Sequence, residues 1–198
     1  MKKGFLRCAS IAILMVFLSV GSVFAAEEAG KNFIANKVGV GYQGVVAGSF
    51  LNGISVRGWI NDKIGLEGTG FYGKVDADVE VGGEGTSGMK ADLWMIEAKA
   101  MYAFIVRNYS KFYVGGKIGY GQIGMTDSPM DGTSYYVPGV FVGSEFSFPQ
   151  LPEVGFNFDV GYQWLRYDNN ISYDDTQYMF MDLDMTGVNV TFGIHYYF

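Results

Sequence analysis

Apolar side chains alternate with small or polar ones along most of the chain after about residue 36. In the last eleven residues, every second position from Val188 to Phe198 is apolar, while Asn189 and His195 lie among the residues between them. Successive side chains of a strand point to opposite faces, so this period of two predicts a strand with one apolar and one polar face. The same pattern predicts eight strands, at about residues 36–47, 54–60, 64–74, 93–106, 111–123, 136–148, 154–167 and 188–198.

The connections between these strands alternate between short and long. Short turns are predicted at 61–63, 107–110 and 149–153, and long loops at 76–91, 124–134 and 168–185; only the first loop, at 48–53, breaks the alternation. Bacterial transmembrane barrels have an even number of strands, short turns at one end and longer loops at the other. We therefore predict an all-β chain that forms an eight-stranded antiparallel up-and-down transmembrane β-barrel over residues 36–198.

Alternation alone does not say which face of the strands lies inside, because a soluble barrel such as a lipocalin alternates too, with its apolar face inward. The interior of an eight-stranded barrel is only wide enough for side chains or one small ligand. The apolar set, which includes Trp94, Trp164 and many phenylalanines, is too bulky for that space, whereas the opposite set is rich in glycine. We therefore expect the apolar face to meet lipid, with the aromatic residues near the strand ends forming interfacial girdles.

The N-terminal segment has the features of a secretory signal peptide. A basic start with Lys2 and Lys3 is followed by an apolar run to about Phe24 and then by two alanines. The run is shorter than the roughly 20 residues of a membrane-spanning helix, so a retained membrane helix is disfavoured. We predict a signal peptide at 1–25, cleaved after Ala25 or Ala26, and a periplasmic lead-in at 26–35. The single cysteine lies in this segment, so no disulfide is expected in the mature chain.

The C-terminal residues Thr191, Gly193, Tyr196 and Phe198 match a specific pattern: a polar residue, then glycine, then aromatic residues at alternate positions. This pattern resembles the assembly signal of outer-membrane β-barrels. The chain as a whole resembles the small outer-membrane barrels of the OmpA-domain and OmpX type, within the porin-like outer-membrane barrels. The resemblance implies a monomer in the cell outer membrane that contacts lipid, lipopolysaccharide and the barrel assembly machinery.

Charged residues occupy the face predicted to point inward, and they are nearly balanced in sign: Arg57, Glu67, Glu97, Lys99, Lys117, Glu145 and Asp159. Charges removed from bulk water must be paired, so one interpretation is an ion-paired network that plugs the barrel. The alternative is a polar lining for a narrow, water-filled path. The predicted loops are acidic, which indicates a solvated surface or, alternatively, carboxylates that bind divalent cations between lipopolysaccharide phosphates. No ordered calcium-loop spacing is present, so no metal site is predicted.

The composition and the lone histidine limit the possible functions. A formal net charge of −6 makes nucleic acid an unlikely partner, because affinity for phosphate backbones depends on clustered Lys and Arg. His195 has no serine near it in the sequence, so we expect neither lipid-modifying enzyme activity nor a cofactor. The expected role is surface interaction or envelope integrity. The alternative is a porin-type channel for ions or small solutes, and a lipid-modifying enzyme is the third hypothesis.

Overall fold

The computed structural model describes residues 32–47, 51–80, 86–125, 133–173 and 177–198. The predicted signal peptide at 1–25 and residues 26–31 of the lead-in lie outside this range. Eight strands form one closed barrel in sequential order, every neighbouring pair being antiparallel, and the last strand pairs with the first. The strands are β1 Val38–Ala47, β2 Asn52–Trp59, β3 Ile64–Glu80, β4 Thr86–Val106, β5 Ser110–Met125, β6 Thr133–Phe148, β7 Leu151–Tyr173 and β8 Gln177–Tyr197. The predicted all-β fold, an antiparallel up-and-down barrel of eight strands, is therefore confirmed. No helix in the described residues is long and apolar enough to cross a membrane.

The barrel has two different ends. The turn end carries the short connections at 60–63, 107–109 and 149–150 together with the start of β1 and the end of β8. The loop end carries the other four connections. Two predicted long loops, at 76–91 and 168–185, were wrong in extent, because the paired strands continue as hairpins as far as Glu80–Thr86 and Tyr173–Gln177. Strand β5 ends at Met125 and β6 begins at Thr133, close to the limits predicted for the loop at 124–134. The acidic and glycine-rich composition of these segments suggested loops. However, the hydrogen bonds between strands join backbone groups, which acidic residues and glycine can also supply. Apart from Asp92, the structure describes no side chain of the carboxylate residues assigned to these loops.

The outer face of the described strands is apolar. Two groups of aromatic residues lie on this outer face at different heights. Near the loop end, Trp94, Tyr120 and Tyr136 lie side by side, with ring centroids 5.9 and 5.2 Å apart. Near the turn end, Phe146 and Phe156 stack at 5.6 Å. Aliphatic side chains occupy the outer face between these groups and are about half exposed, including Val40, Val56, Leu66, Ile118, Val140 and Val142. Among the described side chains, no charged residue points outward between the two groups.

The segment before β1 closes the turn end. Ile34 is buried among interior side chains that include Trp59, Met101 and Tyr197. The Asn32 side-chain amide donates to the Arg107 carbonyl at 2.6 Å, and Asn36, with φ of 61°, lets the chain reverse before it enters β1. The part of the predicted lead-in that the structure describes is therefore folded against the barrel rather than extended away from it.

Candidate functional site in the barrel interior

All seven charged residues predicted to point inward are buried, each no more than 8% exposed. They come from six strands: Arg57 from β2, Glu67 from β3, Glu97 and Lys99 from β4, Lys117 from β5, Glu145 from β6 and Asp159 from β7. The register brings several of them together directly, because Arg57 pairs with Glu67, Glu67 with Lys99, and Lys99 with Lys117 across neighbouring strands. The interior is therefore crossed by a continuous set of charged side chains.

Arg57 contacts three carboxylates from three other strands. Its Nε donates to Glu67 Oε2 at 2.6 Å and its Nη2 forms an ion pair with the same oxygen. Its Nη1 lies 3.4 Å from Glu145 Oε2, and its Nη2 lies 3.8 Å from Asp159 Oδ2. Tyr113, whose hydroxyl accepts from Arg57 Nη1 at 3.1 Å, donates to Asp159 Oδ1 at 2.6 Å. Arg57 thus ties β2 to β3, β6 and β7, which a planar guanidinium with five N–H groups can do.

The two lysines extend this network toward the loop end. Lys99 Nζ donates to Asp159 Oδ2 at 2.9 Å and lies 3.7 Å from carboxylate oxygens of both Glu67 and Glu97. Lys117 Nζ forms an ion pair with Glu97 Oε2 at 3.0 Å. The attraction between two opposite charges at this distance offsets the cost of taking both groups out of water only where hydrogen bonds also satisfy them. The arrangement therefore ties strands on opposite sides of the barrel together.

Sequence reasoning missed Lys111, although it lies at an inward position of β5. Its side chain is fully buried, and Nζ lies 3.9 Å from the centroid of the Trp59 ring. Trp59 in turn donates from Nε1 to Glu145 Oε2 at 2.7 Å, and Tyr197 donates to the other oxygen of that carboxylate. The predicted set had three cations against four carboxylates, and Lys111 balances it. Lys111 was overlooked because it is the first residue after the turn predicted at 107–110, where a lysine is expected to reach solvent.

The structure corrects the expectation that His195 has no serine partner. Ser55 Oγ lies 2.6 Å from His195 Nε2, although the two residues are 140 positions apart in sequence and lie on β2 and β8. Gly41 of β1 pairs with Ser55 on one side and with His195 on the other. A Cβ atom at Gly41 would lie only 2.0 Å from the Ile194 carbonyl oxygen and 2.8 Å from the His195 ring. The glycine therefore allows the two side chains to meet across the strand between them.

This serine–histidine pair lacks the surroundings of a catalytic pair. Both residues are fully buried, and His195 Nδ1 makes no hydrogen bond to any described residue. A nucleophilic serine needs access to substrate and a histidine held in one orientation by a third group. The contact between the two side chains joins β8 to β2.

Of the predicted assembly-signal residues, Thr191, Gly193 and Tyr196 lie on β8, and Phe198 directly follows it. Thr191 and Gly193 are buried, and Thr191 Oγ1 lies 3.2 Å from Asp159 Oδ2 and so can donate to it. Tyr196 and Phe198 point outward and are 58% and 70% exposed. The polar half of the motif therefore contacts the interior network, and the aromatic half belongs to the outer face at the turn end.

No group of His, Cys, Asp or Glu side chains suited to holding a metal ion occurs among the described residues. Apart from Asp92, the side chains of the carboxylates proposed to bind cations are not among those that the structure describes. No protein-family model matches the sequence, and a search of curated proteins returned no significant similarity.

Proposed function

We propose that this chain is an integral protein of the bacterial outer membrane, a small non-enzymatic barrel of the OmpA-domain and OmpX-like type. In this proposal it is exported by a cleaved signal peptide at 1–25, inserted by the barrel assembly machinery and held as a monomer among lipid and lipopolysaccharide. The observation that carries the proposal is the inverted distribution of side chains, with charges inside and half-exposed apolar side chains outside.

The height of the apolar outer face fits a membrane. Trp94 and Phe104 are ten residues apart on the outer face of β4. A rise of about 3.3 Å per residue gives roughly 33 Å along the strand, and a tilt of about 40° reduces this to about 25 Å across the membrane, which is the height of the apolar band in outer-membrane barrels. A soluble barrel would have no reason to keep such a band free of charge.

The side chains of the interior support the proposal that the barrel does not conduct ions. Ion pairs from six strands cross its middle, and Ile34 lies with Trp59, Met101 and Tyr113 in an apolar cluster between those ion pairs and the turn end. A water-filled path would have to pass both barriers. The proposed role is therefore surface interaction or envelope integrity, carried by the outer surface and the hairpins of the loop end.

Conductance of the refolded chain in a planar bilayer tests the closed interior. We expect no discrete current steps from protein whose folding is verified by a heat-dependent gel shift. Arg57→Ala and Lys117→Ala should destabilise the barrel without creating a selective current. Steady steps whose ion selectivity changes in these variants would instead favour the porin-type channel.

A second experiment separates the two proposed roles. Cells that lack the protein are supplied with the full chain or with a variant in which residues 81–85, 126–132 and 174–176 are replaced by short Gly-Ser turns. If the hairpins carry surface interaction, the variant should restore detergent resistance but not binding to a surface. Failure of both chains to change either property would count against both roles.

A further inference from the structure

The loop half of the barrel interior contains a cavity of about 220 Å³. It lies on the loop-end side of the charged network, and its wall is apolar. The wall side chains include Phe71, Leu93, Met95, Tyr135, Val137 and Leu165. Phe71, Met95, Tyr135 and Val137 form a buried cluster, against which Leu93 and Leu165 pack from partly buried positions. This cluster is separate from the one that closes the turn end.

The floor of the cavity is polar. Glu97, Lys117 and Asn189 line it, and all three are buried. Lys117 Nζ contacts Glu97 Oε2 at 3.0 Å and donates to Asn189 Oδ1 at 3.1 Å. An ammonium group has three N–H donors, so these two contacts leave one donor for a further acceptor.

The floor also offers an acceptor. Glu97 Oε1 is buried and accepts no hydrogen bond from any described residue, and Lys99 Nζ lies 3.7 Å from it. A buried carboxylate oxygen without a hydrogen bond is costly. A ligand group that both donates and accepts, such as a hydroxyl, would satisfy Glu97 Oε1 and Lys117 Nζ together.

The volume of the cavity and the charges of its floor limit the chemical class of the ligand further. A cavity of about 150 Å³ lined by Leu, Ile and Phe is large enough to hold benzene, so about 220 Å³ suits one ring with a short substituent. Phe71, Tyr135 and the Met95 sulfur are favourable neighbours for an aromatic ring. Glu97 and Lys117 neutralise each other, so a charged ligand would bring an unpaired charge to the floor.

We propose that this cavity is a binding site for a small neutral molecule made of one aromatic ring and one hydroxyl or amide group. The ring lies against Phe71, Met95 and Tyr135, and the polar group bridges Glu97 and Lys117. The site ends at the charged network, so the molecule enters and leaves by the loop end. This inference goes beyond the proposed function and needs neither a membrane location nor a closed turn end.

Methionine methyl NMR of the refolded mature chain in phosphocholine micelles tests the proposal. Met95 lies in the cavity wall, whereas Met101 packs at the turn end with Trp59 and serves as the internal control. The probe is 2-phenylethanol, compared with ethylbenzene, which lacks the hydroxyl, and with phenylacetate, which is charged. We expect a saturable shift of the Met95 methyl signal and none at Met101. Ethylbenzene should bind about tenfold more weakly or worse, because it cannot make hydrogen bonds to charged groups, and phenylacetate should not bind.

Two substitutions on one strand provide the matched control. Val137→Phe fills the cavity and should abolish the Met95 shift, whereas Val140→Phe places the same side chain on the outer face of β6 and should leave the shift unchanged. If Val137→Phe does not refold, Leu165→Phe replaces it. Equal shifts at Met95 and Met101, no saturation, equal affinity for ethylbenzene, or binding that survives filling of the cavity would each overturn the proposal. The conductance experiment tests the closed interior and does not depend on ligand binding. A negative result there can therefore be told apart from a negative result in the NMR experiment.

Discussion

Replacing Arg57 with methionine is expected to lower the free energy of unfolding of the barrel by about 3–5 kcal/mol, the usual cost of removing one partner from a buried ion pair. The side chain is fully buried and faces carboxylates from β3, β6 and β7. Methionine retains much of the volume, so the change removes the charge and the hydrogen bonds rather than creating a large cavity.

The structure indicates where that cost would arise. Without Arg57, Lys99 at 3.7 Å is the one cation among the described side chains that still forms an ion pair with Glu67. Glu145 keeps the donors Trp59 and Tyr197 but has no other ion pair among the described residues. Adding Glu67→Gln to Arg57→Met should recover part of the loss, with a coupling energy of up to about 3 kcal/mol.

Urea unfolding of the refolded barrel, followed by tryptophan fluorescence and by the heat-dependent gel shift, measures the effect. With a slope of about 2 kcal/mol per molar urea, the midpoint should fall by about 2 M. Lys74→Met is the matched control, because Lys74 forms an ion pair with Asp92 at 3.6 Å that is well exposed, and exposed pairs contribute little. If Arg57→Met shifts the midpoint no more than Lys74→Met does, the buried network does not stabilise the barrel and the reasoning is refuted.

Three further predictions, two of them with a matched control substitution, test other features. Gly41→Ala should prevent or slow closure of the barrel, seen as loss of the heat-dependent gel shift, because its Cβ would overlap a β8 carbonyl oxygen; Gly68→Ala, where a Cβ meets nothing within 4 Å, should fold normally. Ile34→Ala should cost about 2–5 kcal/mol in the same urea experiment, and an unchanged midpoint would mean that the N-terminal segment does not close the turn end. Val140→Lys should cost about 2–4 kcal/mol in a bilayer and Asn52→Lys, near the loop-end aromatic residues, about 0–1 kcal/mol; equal effects of these two lysines would argue against a membrane around the barrel.

The fold class and the division of side chains between two faces could be predicted from the sequence because both follow from a local period of two. The face to which Arg57 or Lys99 points follows from the alternation of the residues on either side of it. The inward position of these charges could therefore be predicted without knowledge of the fold. The ends of the long hairpins could not be predicted in the same way. Side chains there alternate weakly, and pairing continues as long as a neighbouring strand remains within hydrogen-bonding distance.

Which inward residues meet was decided only by the tertiary structure. The stagger of the strands around a closed barrel is a property of all eight strands together, and a slip of one residue would exchange the two faces. That stagger places Ser55 and His195 on either side of Gly41 and brings Lys111 over Trp59. It also leaves the cavity above Glu97 and Lys117. The sequence by itself determined an eight-stranded barrel with charges inside, whereas closure of the barrel decided which charges pair, because contacts between distant strands depend on register and not on local pattern.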